Sequence, residues 1–386
     1  MGLFVILAPY RERMKVVIVN NSRTQQQFLN IVEELYSNDE AYIRPLDQDV
    51  QKIFDVNQNP HFKHGDCIRW ILVDDQNKVI GRIAAFVNEK KAYGYEVPTG
   101  GIGFFECINN QTAANFLFDT AKNWLAGKGM KAMEGPINFG ENDSFWGLLV
   151  EGFTPASYGM NYHLPYYYQL FTNYGFETAY EQLTNIIEVH KPFPERFTKI
   201  ANWVASKPAY SFEHFKKSKA EKYINDLMEI YNDGWKDFEN FVPIKKETLQ
   251  ESFKQMEVIM DEKLIWFAYA NGEPASFVVI IPDANQMIKG FNGKLGLWQK
   301  LQFAYRRWRG INRMRAIVMG TKQAYQKHGL ESSLFIKLKE YVLPNRKNYE
   351  ELELSWVGDF NEKMLAIHEA TGAKFGKKHL TLRKSF

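Results

Sequence analysis

Residues 313–372, RMRAIVMGTKQAYQKHGLESSLFIKLKEYVLPNRKNYEELELSWVGDFNEKMLAIHEATG, read as a strand, a polar turn holding Gly329, an amphipathic helix, a second strand and a second helix. The turn hands a strand over to a helix N-terminus. Such a place leaves several backbone N–H groups unpaired at the positive end of a helix dipole, which suits a phosphate or pyrophosphate. Taken alone, the turn is also what any helix start looks like. The elements around it decide between the two readings.

Outward toward the N-terminus, MKVVIV from Met14 reads as a strand, and residues 24–36 place Phe28, Ile31, Val32 and Leu35 at helical spacing. Residues 68–88 form two strand-like runs about a polar turn, and residues 100–108, GGIGFFECI, a further strand. Residues 114–129 read as a helix stopped by Gly127 and Gly129, residues 131–139 as the strand after it, and the run closing on Gly175 as a short helix. One or two strands follow at 177–189. At 190–195, HKPFPE sets two prolines and charge between periodic segments, which marks a boundary. The order then begins again: a helix at 212–235, a hairpin about Asn271-Gly272, the quoted stretch, and a last strand at 374–384. Two domains are expected, 1–190 and 191–386, built on one duplicated plan.

Composition agrees with two cores: 386 residues, 45% hydrophobic and 15% aromatic, exceed what one core ordinarily holds. A net charge of +3 gives no reason to expect nucleic acid as a partner. Cys67 and Cys107 are too few for a disulfide framework or a cysteine-rich metal site, and they suit a reducing compartment. The eight histidines show no metal-ligand spacing, so no metal site is expected. LFVILA (3–8) is too short to span a bilayer and has no basic region ahead of it, so neither a signal peptide nor a membrane-spanning helix is read. Residues 1–13 are read as lying ahead of the functional start.

Strand, hairpin, strand, glycine turn, helix, strand, helix and strand in this order resemble the GNAT acyl-CoA N-acyltransferases. Gln326-Lys-His-Gly329-Leu-Glu331 matches the family's Gln/Arg-x-x-Gly-x-Gly/Ala turn at its first two fixed positions, and Glu331 stands where the family has a small residue. The corresponding turn of the first half, NNQTAA (109–114), has no glycine. Over nearly its whole length the chain is similar to the tandem-GNAT group that includes the YghO-like proteins and the bacterial ceramide synthases. GRIAAFVN (81–88), GGIGFFEC (100–107), GPINF (135–139), PDANQ (282–286) and ELSWVGDFN (353–361) carry that similarity. The resemblance implies an α/β (α+β) protein of two GNAT-like domains in tandem, each with a mixed, mostly antiparallel central sheet flanked by helices. It implies acyl-CoA as co-substrate with no tightly bound cofactor, and an amine as acceptor, a sphingoid base in the ceramide-synthase case.

Acyl transfer to an amine needs a proton acceptor, a backbone N–H donor for the thioester oxygen, and help for the departing thiolate. Glu106 on the first half's central strand is the candidate base; strict alternation puts Ile102, Phe104 and Ile108 on its face, an apolar setting that would raise its pKa. A structural ion pair is the competing reading. Cys107 adjoins it, and Tyr162 and His163 are candidates for the proton donor. The donor site is expected at Met319, Gly320, Gln326, Gly329 and Ser332. Asn138, Glu141, Asn142, Tyr167, Trp356 and Asn361 are candidates for the acceptor pocket, the first three being equally a capped polar turn. The second half has no strand carboxylate in RAIVMGT, so one half has a glycine turn without a strand carboxylate and the other a strand carboxylate without a glycine turn; a catalytic first half with a degenerate turn and a catalytic second half using water or a residue from elsewhere both stay open.

Residues 284–330 contain no Asp or Glu but many Lys and Arg, while Leu297, Leu301, Ala304, Tyr305 and Trp308 recur at helical spacing. A basic amphipathic helix with tryptophans suits an anionic bilayer surface, with Trp298, Lys300, Arg306, Arg307 and Trp308 as contacts. The same segment also fits docking of an acidic acyl carrier protein, or a connector whose apolar stripe is core. The function classes left open are an acyltransferase for a lipid-like amine, one for a soluble amino acid or peptide, and a non-catalytic acyl-CoA or lipid binder. The location expected is cytoplasmic, peripheral on the inner membrane face.

Overall fold

The computed structural model describes residues 14–237 and 243–386; LFVILA lies outside them. The chain forms two compact units, one of residues up to Gln182 with Ile288–Gly296 and Lys377–Phe386, the other of Leu183–Met287 and Leu297–Gly376.

The first unit contains β1 (Lys15–Ile18), α1 (Ser22–Leu35), α2 (Asp47–Ile53), β2 (Gly65–Val73), β3 (Val79–Asn88), α3 (Glu89–Ala92), β4 (Thr99–Cys107), α4 (Gln111–Gly127), β5 (Ala132–Gly135), β6 (Leu148–Glu151) and α5 (Tyr167–Tyr174). β7 (Glu177–Glu188) then carries the chain onward. β1 to β4 pair antiparallel in sequence order, and β4 pairs parallel with β5 only from Thr99↔Ala132 to Gly101↔Glu134. Beyond that point the two strands part. One face carries α4 and α5, with Phe105, Cys107, Leu117, Phe118 and Phe171 in its core; the other carries α1 and α2 over Phe28, Leu29, Val50 and Ile71. Asn21 caps α1 through a capping box with Thr24, and Phe28, Ile31 and Val32 are buried as the spacing requires.

The second unit contains α6 (Glu195–Ala205), β8 (Tyr210–His214), α7 (Ala220–Trp235), α8 (Lys246–Met256), β9 (Ile265–Ala270), β10 (Glu273–Pro282), α9 (Ala284–Ile288), α10 (Leu297–Arg309), β11 (Arg313–Thr321), α11 (Leu330–Asn345), β12 (Glu351–Gly358) and α12 (Glu362–Ala370). β13 (Lys374–Ser385) closes the chain. β8 to β11 pair antiparallel, and β11 pairs parallel with β12 only from Arg313↔Glu351 to Ala316↔Leu354. α6 and α11 cover one face, α7 and α8 the other. Both units thus share a mostly antiparallel sheet with one short parallel pairing that splays open.

Several elements differ from the sequence reading. α6 follows the proline boundary directly, and residues 212–214 of the expected 212–235 helix belong to strand β8, because they pair with β9 (Phe212↔Ala268). The last strand, expected with the second half, pairs over its final residues with β5 (Leu382↔Gly135).

Candidate active site

β4 is where the first unit's chemistry is set. Its register against β3 jumps between Arg82↔Glu106 and Ala84↔Gly103, so Phe104 and Phe105 both stand opposite Ile83. Phe104 takes a left-handed φ of 50°, and Gly103 lies so close to the next chain segment that a Cβ would sit 1.8 Å from the Ile137 carbonyl oxygen. This bulge breaks the alternation: Ile102, Phe105 and Cys107 enter the core under α4, whereas Phe104 and Glu106 turn to the α1 side. Strict period two would have placed Ile102 and Ile108 beside Glu106. The extra residue puts Ile102 on the opposite face, and Ile108, past the end of β4, packs against that same core.

Glu106 is buried and held by three donors. The hydroxyls of Tyr167 and Tyr36 donate to Oε2 at 2.7 and 2.9 Å, and Arg82 Nη2 reaches Oε1 at 3.4 Å. Arg82 also donates to the Phe28 carbonyl at 2.6 Å and lies over the Phe28 ring. Burial raises the Glu106 pKa above the usual carboxylate range, against the opposing pull of Arg82 and the two tyrosines. Burial, and then the Glu106 charge, push both tyrosines well above their ordinary value, so they remain neutral donors.

Glu106, Arg82, Phe104 and Phe105 wall a cavity of about 50 Å³, closed by Tyr42, Arg44, Tyr162 and His163. Such a volume holds a few waters, where small-molecule sites run to roughly 300–1,000 Å³. Tyr42 stacks on Tyr36 with centroids 3.8 Å apart, and the Tyr162 hydroxyl donates to Asp39 at 2.7 Å. His163 accepts the Leu149 N–H on Nδ1 at 3.1 Å, so its proton sits on Nε2. Burial, with His379 and Arg82 near, pushes its pKa down to about 3. His163 is therefore a neutral donor.

Of the first half's expected residues, Glu106, Tyr162, His163 and Tyr167 come together. The Cys107 thiol points into the apolar core, its pKa pushed up to about 12 by burial; only its backbone meets the tyrosines. Asn138 holds a turn through the Glu141 carbonyl, and the exposed Glu141 pairs with Lys91 at 2.7 Å, which is the capped-turn arrangement; Asn142 follows in that turn. Arg82, Tyr36 and Tyr42 were not anticipated. A lone arginine inside the apolar run GRIAAFVN signalled a buried partner, but the two tyrosines carried no signal.

In the second unit the turn after β11 places Gly329 at the α11 N-cap with φ 79° and no side-chain cap, so the first-turn amides stay open to an anion. The matching helix of the first unit is stoppered: Asn110 Oδ1 accepts the Ala113 N–H at 2.9 Å. Ile317, Val318 and Met319 are half-buried at the splay, and Gly320 lies against the Trp235 ring. Gln326 and Ser332 lie half-buried on the turn and first helical turn. Trp356 lies on β12, and Asn361 caps α12 by accepting the Met364 N–H at 3.2 Å. Asp283 and Arg313 form a buried ion pair in which Arg313 Nη2 and Nε donate to Asp283 Oδ2 at 2.6 and 2.9 Å.

The exposed face of α10 is apolar: Leu297, Trp298, Leu301, Tyr305 and Trp308 are 84, 67, 64, 55 and 83% exposed. Arg306 reaches the Met287 carbonyl and the exposed Arg307 those of Val258 and Met260, while Lys300 is exposed beside the stripe. The stripe is therefore not core of the described chain. Among the described residues, no helix is long and apolar enough to cross a membrane, and no His/Cys/Asp/Glu cluster could hold a metal ion.

No family model matches the chain. It is 25% identical over 380 residues to a protein of Caulobacter vibrioides named bacterial ceramide synthase, covering 96% of this chain and 97% of that one. It is also 25% identical over 374 residues to protein YghO of Escherichia coli, covering 94 and 93%. Among solved structures it resembles a tandem GNAT protein of the clavulanic acid biosynthesis pathway, with a TM-score of 0.59, 12% identity, and 96 and 98% coverage. A GCN5-related N-acetyltransferase of Sphaerobacter thermophilus matches with a TM-score of 0.54, 10% identity, and 98 and 97% coverage. The fold is that of a tandem GNAT protein.

Proposed function

We infer that this chain is a GNAT-type N-acyltransferase that moves an acyl group from acyl-CoA to a primary amine, and that the amine is a long-chain, sphingoid-type base taken from a membrane surface. The observation that carries the chemistry is the buried Glu106 carboxylate at a β4 bulge, with a pKa raised by burial and a water-sized cavity at its side. The ammonium form of the acceptor cannot attack; Glu106, directly or through a cavity water, takes its proton. The amine nitrogen then bonds to the thioester carbon and gives up a second proton as the C–S bond breaks, and the departing CoA thiolate takes up that proton and leaves as the thiol. The hydroxyls of Tyr36, Tyr162 and Tyr167 and the Nε2–H of His163 are the hydrogen-bond donors at hand for the charge that develops. In the second unit, taken by itself, the open α11 N-terminus is suited to a pyrophosphate, and Glu331 in its first turn is the feature least favourable to that anion.

Two observations support a lipid-like acceptor: the near full-length relationship to a protein named bacterial ceramide synthase, and the outward apolar stripe of α10 with basic residues around it. The stripe commits to an anionic bilayer, because the segment from residue 284 through α10 has no acidic residue. Long chains stay in the bilayer at about 0.8 kcal/mol per CH₂, so an enzyme handling them works at that surface.

The test is product analysis by mass spectrometry after incubation with mixed acyl-CoAs and mixed amines, with CoA thiol release followed in parallel. N-acyl sphingoid base as the main product is expected. Acylated amino acids or peptides would move the reading to a soluble acceptor, and absence of thiol release with any amine would leave only a binding protein.

A further inference from the structure

At the end of α10 the second unit carries a second concavity, of about 500 Å³, which the acyltransferase reading leaves unused. Its wall holds three cations, Arg306 and Arg309 of α10 and Lys347 beyond α11, with Asn312, Asn348 and a single carboxylate, Glu350. Arg309 and Lys347 have no anionic partner among the described residues, and Glu350 is engaged by Asn312 Nδ2 at 2.9 Å. The wall is built: Asn348 Nδ2 donates to the Arg309 carbonyl at 3.2 Å, and Arg306 Nη1 to that of Met287 at 2.8 Å. Three cations against one carboxylate leave a charge of about +2, which matches a dianion, and guanidinium forks suit phosphate oxygens.

The pocket opens at the start of β11, whereas the anion-accepting turn lies at its end. Nine residues of strand separate the two, about 30 Å at ~3.3 Å per residue, so a phosphate here is not the CoA pyrophosphate. Arg309 follows directly on Trp308 of the exposed stripe. A helix whose stripe lies in the interfacial layer brings its flanking cations to headgroup depth.

We propose that this pocket binds the phosphate of an anionic lipid headgroup, with preference for an exposed phosphomonoester over a phosphodiester, and so selects the membrane on which the enzyme works. The proposal rests on the membrane reading above. Its test is flotation of the full chain with vesicles of phosphatidylcholine alone, or mixed with phosphatidylglycerol or phosphatidic acid at matched surface charge. Wild type is expected to favour phosphatidic acid about tenfold, the scale of one to two cations at an anionic surface. Arg309→Gln/Lys347→Gln should bring that ratio to about one while still floating with phosphatidylglycerol, and Arg309→Lys, which keeps the charge but loses the fork, should keep only part of it. Trp298→Ser/Trp308→Ser should weaken binding to every vesicle. Loss of all vesicle binding by wild type overturns both readings. An unchanged ratio in the double variant overturns the pocket alone, as does calorimetric binding of glycerol 3-phosphate as tight as that of the vesicles.

Discussion

Replacing Glu106 by Gln tests the proposed chemistry most directly, because the structure gives the change two separable effects. Glutamine keeps the size and one acceptor oxygen for the Tyr36 and Tyr167 hydroxyls, but its amide then confronts Arg82 Nη2, where Oε1 now lies at 3.4 Å. A buried arginine that loses its carboxylate costs about 3–5 kcal/mol. Arg82 keeps the Phe28 carbonyl and ring, so the lower end applies. At ~2–4 °C per kcal/mol for a unit of this size, the melting temperature should fall by on the order of 10 °C. Turnover, followed by CoA thiol release at a temperature where the variant is folded, should fall about 10²–10⁴-fold. The pH dependence adds a signature. The folded pKa of Glu106 is raised, so the stability this group contributes is present below the ordinary carboxylate value and lost as pH rises through the folded value. A base must be deprotonated, so turnover rises over that same window. Gln removes both slopes. A variant that melts lower yet turns over within about threefold of wild type, a far smaller change than general-base loss brings, would show that the carboxylate is a structural ion pair and refute the assignment.

Tyr36→Phe removes one donor from the Glu106 carboxylate, so the acid limb of the rate profile should move to higher pH with the maximum rate largely kept, read from initial rates across pH. Gly329→Val forces a β-branched residue to φ 79° within 3.1 Å of Ile200; KM for acyl-CoA should rise about tenfold, and strain of about 1–2 kcal/mol should lower the melting temperature by several degrees. Asp283→Asn strips the buried Arg313 of its carboxylate partner, and calorimetry should show a loss of about 3–5 kcal/mol with KM per folded molecule unaltered. Gly103→Ala drives a Cβ into the Ile137 carbonyl and should lower the melting temperature by several degrees, about 2–4 °C per kcal/mol of strain.

The segments that carried the family resemblance turn out to hold one another. GRIAAFVN supplies Arg82 to the Glu106 of GGIGFFEC, and PDANQ supplies Asp283 to Arg313. GPINF supplies the Ile137 backbone that lies against Gly103. Sequence order could name these segments but not join them, since each pairing depends on strand register over tens of residues. Tyr36 and Tyr167 lie 70 and 61 positions from Glu106, and only the packing of α1 and α5 about the sheet brings them to its carboxylate.

By itself, the sequence determined most of the order of strands and helices, α6 and β8 apart, the duplicated plan, the glycine turn before α11, the acid-free basic helix, and a carboxylate on the first unit's central strand. Those depend on local spacing, capping and composition, which the chain states directly. The tertiary structure decided which way Glu106 faces, because one extra residue at Phe104 reverses the parity that alternation would give. It decided that the final strand pairs with β5, and that the stripe of α10 faces outward. Which face is buried depends on what packs against it, and that is a property of the whole fold.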